Sequence, residues 1–420
     1  MTERLLQYIW QFQYFNRNEL VAVTGEEIVI IHPGKLNTHQ GPDFLEGRVR
    51  SGSNTWVGNI ELHVDASEWH RHQHSLDKNY NNVILHVVWN NDEVDTKHGI
   101  PTLVLEDRVP KVLLQQYNSW MEGGSFIPCE SSAQYAEDLV WTSWKERLMI
   151  ERLQRKSDQV MVLLYKNNFH WEEVLWWMLA RNFGLYVNAD AFAEIAASIP
   201  FNVLLKHRMQ IHQLEALLFG QCNLLEIEEP DKYSMMLQKE YLFLQKKYSL
   251  EKTHLPVHFL RMRPACFPTV RLAQLAMLVH TTADIFCTIL NAPTIHEIRL
   301  LMNVTANDYW HYHFRFCEVA TYQPKTLGLG MINNIMMNTV AVILFAYGKY
   351  HNDLCYLDKA VQWMSALPAE QNSTISRFKN IGVTAGNAAD TQSLIELKSQ
   401  YCDHKRCLEC AVANAMFKHM

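Results

Sequence analysis

The chain has 420 residues, 48% of them apolar, and a formal net charge of −6. This length exceeds one compact core of ordinary size, so two or three domains are expected. The acidic balance excludes a globally basic nucleic-acid binder, and any contact with nucleic acid would need a local basic patch.

The N-terminal segment, MTERLLQYIWQFQYFN, has no basic stretch followed by a continuous apolar run, so no signal peptide is expected. No stretch reaches the roughly 18 uninterrupted apolar residues of a membrane helix, and no membrane partner is expected. The nine cysteines are odd in number and scattered. They favour reduced thiols and a cytoplasmic location over a disulfide framework. The oligomeric state is left open.

Residues 1–120 predict a small α/β domain. Apolar residues at helical spacing in residues 3–15 predict an amphipathic helix. The polar, histidine-rich residues 65–82 predict a short helix and a loop between two strands. The predicted strands comprise residues 27–31, 44–50, 56–64, 83–89 and 101–105, separated by Gly, Pro, Asn and Ser turn signals. The core order is therefore helix, three strands, helix, strand, in a mixed sheet.

After Gly123-Gly124 the pattern becomes helical, which predicts a large all-α domain over residues 121–390. Residues 391–420 predict one more helix followed by a cysteine cluster. The clearest predicted helices are Trp171 to Phe183, His207 to Phe219, Thr269 to Leu290, Gly330 to Gly348 and Thr391 to Gln400.

Two carboxylates fall on consecutive predicted strands, in Gly41-Pro42-Asp43-Phe44 and in Gly58-Asn59-Ile60-Glu61-Leu62-His63. Glu61 and His63 are two residues apart, so both project from one face of their strand. A hairpin brings Asp43 beside them. Converging carboxylates suit a hard divalent ion, Mg²⁺ or Mn²⁺, which can polarise a phosphodiester and activate a bound water.

These residues resemble the PD-(D/E)XK nuclease superfamily, which has "PD" before one strand and "E-x-K" in the next, then a helix and a further strand. The matching positions are Pro42-Asp43 and Glu61-Leu62-His63. The resemblance implies a restriction-endonuclease-like core and hydrolysis of phosphodiester bonds in DNA. It also implies that Asp43 and Glu61 are metal ligands. The rest of the chain resembles an uncharacterised bacterial family of this length.

His63 departs from this pattern, because it occupies the position of the catalytic lysine. A histidine is mostly neutral at pH 7 and can act as a general base or as a metal ligand. The protein is then an enzyme with altered chemistry, an enzyme using another metal, or a non-catalytic nucleic-acid-binding or scaffolding protein. In the plainest alternative, Asp43 bonds its own turn, and Glu61 and His63 lie on a solvated sheet face.

Histidines are concentrated around this motif, at positions 63, 70, 72, 74 and 86. Histidines with a carboxylate can bind Zn²⁺, Mn²⁺ or Fe²⁺, which makes a histidine-metal hydrolase of unknown substrate a further hypothesis. His72, His74 and His86 are the expected supporting residues. The alternative is a set of hydrogen-bonded structural histidines.

A second candidate metal site lies at the C-terminus, where Cys402, His404, Cys407 and Cys410 form the pattern C-x-H-x2-C-x2-C. Three thiolates and an imidazole can complete a tetrahedral zinc site. The alternative is an iron–sulfur cluster with Cys129 as a distant fourth ligand. Three ordinary thiols near a helix end are the remaining interpretation.

A basic group at helical spacing, residues 145–156, contains Lys145, Arg147, Arg152, Arg155 and Lys156. It could meet phosphates, or it could form a helix face paired with acidic neighbours.

Overall fold

A computed structural model describes residues 1–92, 99–282 and 284–418. The chain divides into two compact units. The first comprises residues 1–144, 381–383 and 397–420, and the second comprises residues 145–380 and 384–396. The predicted boundaries at 120 and 390 therefore fall inside these units, and the C-terminal cysteine segment belongs to the first.

The first unit contains a mixed sheet, as predicted, and the second contains many helices. In chain order the elements are α1 (Glu3–Phe12), β1 (Ile28–His32), β2 (Lys35–Leu36), β3 (Phe44–Ser51), β4 (Asn54–Asp65), α2 (Glu68–Arg71), β5 (Val83–Asn90), β6 (Thr102–Val104) and α3 (Lys111–Glu122). The strand order is β1-β3-β4-β5-β6, and the short β2 pairs with β3. Strands β1, β3 and β4 are antiparallel neighbours, whereas β4, β5 and β6 run parallel.

Helix α1 begins where the Thr2 hydroxyl accepts a hydrogen bond from Leu5 N at 3.3 Å, an N-cap contact. It ends at Gln13, whose left-handed backbone (φ 56°) stops the helix before the predicted residue 15. The buried face of α1 includes Leu6, Ile9 and Trp10. This face packs against β4 and covers one side of the sheet.

Strands β4 and β5 form the centre of the sheet. Ile60 and Leu62 of β4 alternate with Glu61 and His63, so the apolar and polar side chains point to opposite faces. Glu61 pairs with His86 of the parallel strand. The pairing is irregular just upstream, because Asn59 pairs with Val83 and Ile60 with Leu85, which leaves Ile84 as an additional residue of β5.

The connection from β4 to β5 crosses from one end of the sheet to the other, as parallel neighbours require. The predicted helix in this crossover is short: α2 has four residues and is followed by 3-10 turns at His74–Leu76 and Lys78–Tyr80. Gln73, between α2 and the first 3-10 turn, has a left-handed backbone with φ 59°. The crossover therefore turns sharply between two histidines, His72 and His74.

The second unit is built around a large apolar core. Its helices are α4 (Asp138–Lys166, whose first residues belong to the first unit), α5 (Trp171–Phe183), α6 (Leu185–Ser198), α7 (Phe201–His207), α8 (Ile211–Gln221), α9 (Lys232–Tyr248), α10 (Pro268–Thr281), α11 (Ile285–Asn291), α12 (Ile295–Leu301), α13 (Leu329–Ile335), α14 (Ala341–His351), α15 (Leu354–Ala366), α16 (Ser373–Asn380) and α17 (Ala388–Glu396). A π-helical turn at Met336–Val340 joins α13 to α14, and a second at Leu397–Cys402 follows α17. The last helix of the chain, α18 (Ala411–Lys418), belongs to the first unit.

Three details of the second unit differ from the prediction. The segment predicted as one helix from Thr269 to Leu290 is two helices, α10 and α11, because Asp284 caps the second one by accepting a hydrogen bond from Cys287 N at 3.1 Å. The predicted helix from His207 to Phe219 begins only at Ile211, where α8 starts. A two-stranded antiparallel sheet of β7 (His313–Arg315) and β8 (Glu318–Val319) interrupts the predicted all-α domain.

The helical stretch Leu329–His351 is long and apolar enough to cross a membrane, and 78% of its most apolar window is buried inside the fold. Such burial is typical of a core helix.

Candidate functional site

Asp43 and Glu61 are neighbours because β3 and β4 pair, with Phe44 opposite Ile60. The Asp43 backbone N–H donates to Glu61 Oε2 at 3.0 Å, and the Leu62 N–H donates to Asp43 Oδ2 at 3.0 Å. Gln7 of α1 donates from Nε2 to Asp43 Oδ1 at 2.8 Å. Both carboxylate oxygens of Asp43 thus accept hydrogen bonds from the protein, and both acidic residues are held rigidly.

The other oxygen of Glu61, Oε1, lies close to two imidazoles. It is 3.6 Å from His63 Nε2 and 3.4 Å from His74 Nε2, and these two nitrogens are 3.3 Å apart. A tetrahedral metal with ligands at about 2.0–2.1 Å places its ligand atoms about 3.3–3.4 Å from one another. The triangle formed by Glu61, His63 and His74 therefore has the size of one face of such a metal site.

His72 and His86 complete the cluster. One ring nitrogen each of His63, His72 and His74 lie within 4.8 Å of one another, and His72 is exposed to solvent. The fully buried His86 lies behind His63, with its Nε2 2.9 Å from His63 Nδ1. A hydrogen bond at Nδ1 fixes a ring so that its Nε2 can serve as a ligand, and here it directs His63 Nε2 toward Glu61.

The crossover brings His74 to the sheet. The turn at Gln73 points the chain back, and the His74 ring stacks on Tyr80 with a centroid distance of 3.8 Å. Trp69 is buried beside the imidazoles, with its ring centroid 5.4 Å from that of His74. Aromatic packing thus orients a side chain that begins a short 3-10 turn.

The electrostatics of the cluster disfavour two negative carboxylates. Burial, followed by the charge of Glu3, raises the pKa of Asp43 to about 7. Burial, followed by the charge of Asp43, raises the pKa of Glu61 to about 9. Burial and the charge of His72 lower the pKa of His74. Within the described residues, no Lys or Arg forms an ion pair with Asp43 or Glu61. A bound divalent cation would supply the missing positive charge.

The structure brings together six of the residues singled out from the sequence, Asp43, Glu61, His63, His72, His74 and His86. His74, expected to play a supporting part, lies directly at Glu61. His70 is exposed and lies outside the group. Sequence reasoning missed Gln7, which carries no local signal because its contact with Asp43 depends on how α1 packs.

Four residues of the basic group of α4 pair with acidic side chains, and the fifth, Lys156, donates to Asn338 Oδ1 at 2.6 Å. Arg147 Nε lies 2.8 Å from Glu151, four residues along the same helix. Arg152 and Arg155 both contact the buried Glu396, at 3.1 and 2.6 Å. These contacts favour a structural role for the group over a phosphate-binding one.

The fold and the cluster together define a two-unit protein with a buried histidine–carboxylate group on a mixed sheet. The chain belongs to the family described as "Protein of unknown function (DUF2851)", whose model matches residues 3–373. This match confirms the expected uncharacterised family, and it ends before the three C-terminal cysteines. No curated protein and no solved structure matches the chain.

Proposed function

We propose that this protein is a divalent-metal-dependent hydrolase that cleaves phosphodiester bonds of DNA. One observation carries the proposal: Glu61 Oε1, His63 Nε2 and His74 Nε2 lie 3.3–3.6 Å from one another in a buried cluster. These three side chains would hold the metal. The exposed His72 would be the ligand nearest to solvent.

The donor set bears on which metal binds. Imidazole nitrogens with a carboxylate suit Zn²⁺ and Mn²⁺. Mg²⁺ prefers oxygen ligands and keeps several waters, so it fits the nitrogen-rich triangle less well than the oxygen pair Asp43 and Glu61 expected from the sequence. Mn²⁺ is compatible with both sets, and we take it as the first metal to test.

The residues around the metal would have separate roles. When bound, the metal would supply a water of lowered pKa. Burial and the charge of Glu3 raise the pKa of Asp43 to about 7 without a metal, and a cation beside it would lower this pKa, so Asp43 would serve as a proton acceptor. His86 holds the His63 ring in place. In this arrangement His63 is a ligand, and it does not replace the charge of the expected lysine.

The resemblance to the PD-(D/E)XK superfamily supports DNA as the substrate. That resemblance implies three strands, a helical crossover and a further strand, with the acidic pair on two adjacent strands. Strands β1, β3 and β4 are antiparallel, and β5 is parallel to β4 after the crossover. Asp43 directly precedes β3 and Glu61 lies in β4, which supports the resemblance. The short α2 departs from the expected helix.

A hydrolase acting on another substrate is the second candidate, and the nitrogen-rich ligand set favours it. The two candidates share the metal and differ in the substrate.

The test uses the full chain, stripped of metal with a chelator and reloaded with Mn²⁺, Zn²⁺ or Mg²⁺. Single- and double-stranded DNA cleavage is measured for the wild type, Glu61→Gln and His74→Gln. Two substitutions of buried residues in the second unit serve as controls: Glu215→Gln and His207→Gln. We expect the first two variants to lose metal affinity and cleavage by roughly 100-fold, as for ligand-shell changes, and the controls to retain both.

Equal cleavage by all five proteins would indicate a contaminating nuclease and overturn the proposal. Metal binding that depends on Glu61 and His74 without DNA cleavage would favour the second candidate. A folded wild type that binds none of the three metals would exclude both and leave the non-catalytic alternative.

A further inference from the structure

The second unit contains a cavity of about 1000 Å³, lined by residues of α4, α5, α6 and the helical stretch Leu329–His351. Most of the lining residues are apolar, among them Leu163 of α4, Trp177 of α5 and Ala189 of α6. Tyr186, which is 99% exposed, also lines the cavity, so the cavity is open to solvent. Small-molecule sites commonly have volumes of about 300–1,000 Å³ and mostly apolar walls. The cavity is therefore large enough for a small molecule with an apolar body.

Polar side chains form one connected group on the wall of this cavity. Lys156 Nζ donates to Asn338 Oδ1 at 2.6 Å, and Asn338 Nδ2 donates to the Asn334 carbonyl at 3.2 Å. Asn182 Nδ2 lies 3.4 Å from the same carbonyl and donates to Thr339 Oγ1 at 3.2 Å. All five residues line the cavity. A few converging polar groups on an apolar wall are what orients a ligand in a small-molecule site.

The π-helical turn Met336–Val340 contributes two of these residues, Asn338 and Thr339. Single π-helical turns within longer helices occur frequently at functional sites. One turn earlier, the side-chain amide of Asn334 also lines the cavity, and it forms no hydrogen bond with the part of the chain that the structure describes. This amide is therefore available to a ligand, both as a donor and as an acceptor.

Lys156 differs from the other four residues of the basic group, because its side-chain partner is a neutral amide. Among the described residues, no carboxylate forms an ion pair with Lys156 Nζ, and the neighbouring Glu396 is already shared by Arg152 and Arg155. Burial, followed by the charges of Arg152 and Arg155, lowers the pKa of Lys156 to about 7, and Glu370 and Glu396 do not offset this. An anion beside Nζ would stabilise the ammonium form.

The other two charged residues that line the cavity already have partners. Arg181 forms an ion pair with Asp190. Glu194 accepts hydrogen bonds from the backbone N–H groups of His254 and Leu255 at 3.1 and 3.0 Å. The cavity thus presents one cation without an anionic partner among the described residues, at Lys156, and charge complementarity favours an anionic ligand.

We propose that this cavity binds a small carboxylate with an apolar body, such as an alkyl or aryl carboxylate. The carboxylate accepts hydrogen bonds from Lys156 Nζ and from the Asn334 amide, and the apolar body lies against Trp177 and Leu163. A hydrogen bond between an ammonium group and a carboxylate is charge-assisted and about twice as strong as a neutral one. All residues of this site belong to the second unit, so the site does not depend on the histidine–carboxylate cluster of the first.

Binding to the full chain is measured by titration calorimetry at neutral pH. The probes are decanoate and naphthoate, and the controls are their uncharged counterparts, decanol and naphthol. We expect at least one carboxylate to bind, and its counterpart to bind about tenfold more weakly or worse, since the counterpart cannot form a hydrogen bond between two charged groups. This preference for the carboxylate measures the contribution of the polar wall.

Four substitutions and the cluster variant test the two parts of the site. Lys156→Met should remove the preference for the carboxylate, whereas the matched Lys166→Met, at the exposed end of α4, should keep it. Ala189→Phe should fill the cavity and abolish binding of both compounds of a pair. The matched Ala366→Phe, at the exposed end of α15, should leave binding unchanged. His74→Gln should also bind normally, which separates this site from the proposed hydrolase centre.

Because Lys156→Met can fail to fold, amine labelling of the folded wild type provides a second measurement. The chain is treated with a limiting amount of acetic anhydride, and modification of Lys156 and Lys166 is followed by peptide mass spectrometry. We expect the bound carboxylate to suppress modification of Lys156 and to leave that of Lys166 unchanged.

A folded wild type that binds neither carboxylate would overturn the proposal. Binding of the uncharged counterparts as tightly as the carboxylates would do the same, as would a folded Lys156→Met that keeps the preference. Modification of Lys156 that neither carboxylate affects would also count against the site.

Discussion

Glu396 and Glu61 are buried carboxylates in different units, and their surroundings have opposite effects on their pKa values. Burial raises the pKa of Glu396 in the second unit, but the hydrogen bonds and charges of Arg155 and Arg152 outweigh it, so the pKa is lowered overall. Burial and the neighbouring Asp43 raise the pKa of Glu61 in the first unit to about 9. A buried charge requires a partner. Two arginines of the second unit supply the positive charge beside Glu396, whereas at Glu61 we propose that a bound metal would supply it.

Removing the Glu396 carboxylate of the second unit should give the largest change in the free energy of unfolding. Glu396→Ala leaves Arg152, with an 11% exposed side chain, beside Arg155 without their shared partner. We expect a loss of about 3–5 kcal/mol in the free energy of unfolding, the usual result of breaking a buried pair, measured by urea denaturation of the full chain. A loss below about 1 kcal/mol, as for an exposed pair, would remove the contrast between the two regions.

The second-largest change in the free energy of unfolding is expected when a cation is added to the histidine–carboxylate cluster of the first unit. Mn²⁺ at 100 times its dissociation constant should stabilise the metal-free wild type by about 2.7 kcal/mol, because it binds the folded state only. The shift in the urea midpoint should vanish in His74→Gln and persist in the control His207→Gln. Equal shifts in both variants would contradict the assignment.

The pH dependence of the metal-free protein sharpens the comparison. A carboxyl whose pKa is raised from 4.5 to about 9 binds more protons in the folded state, so stability falls as pH rises through this range. Near pH 9, Glu61→Gln should therefore be more stable to unfolding than the wild type by about 1–2 kcal/mol. Each unit of pKa shift corresponds to about 1.4 kcal/mol, and relaxation of the surrounding protein reduces the total. The difference should disappear at acid pH, below the unfolded-state pKa.

Glu396 gives the opposite sign and serves as the control for this titration. Because its pKa is lowered, its stabilising contribution is present above the unfolded-state pKa and is lost as pH falls. Comparing urea denaturation of Glu396→Gln with the wild type between neutral and acid pH should show this. Parallel pH profiles for the two Gln variants would mean that the two regions do not differ as described.

The smallest effect is expected at the exposed end of the basic group. Arg147, with a 66% exposed side chain, pairs with Glu151 at helical spacing. Arg147→Ala should cost about 0.3–0.5 kcal/mol, measured by the same denaturation. Arg152→Ala is the matched comparison, because the Arg152 side chain is only 11% exposed. This substitution should cost several times more free energy of unfolding. Equal losses would show that burial does not set the strength of these pairs.

Strand periodicity made part of the cluster predictable. Glu61 and His63 share a face because they are two residues apart, and pairing of β3 with β4 brings Asp43 to them. The place of His74 could not be predicted, because a crossover has no fixed period. Its position depends on the left-handed turn at Gln73 and on stacking against Tyr80, and both depend on tertiary packing.

The fold, like the cluster, was only partly predictable from the sequence. Hydrophobic periodicity indicated a mixed sheet followed by helices, both of which are present. It could not locate the break between α10 and α11, because the apolar pattern continues through both helices and the interruption depends on the Asp284 cap. It also could not assign residues 397–418 to the first unit, since contacts such as that between Trp144 and Tyr401 join distant parts of the chain.

The additional residue in β5, Ile84, sets the surface of the sheet from which the His86 imidazole projects. If regular pairing continued from Asn59 and Val83, His86 would lie opposite Leu62, and its imidazole would project from the wrong surface of the sheet. Because Ile84 is an additional residue, Glu61 pairs with His86, and the two side chains project from the same surface of the sheet. A chain without Ile84 could therefore keep the same imidazole behind His63 by pairing regularly with β4.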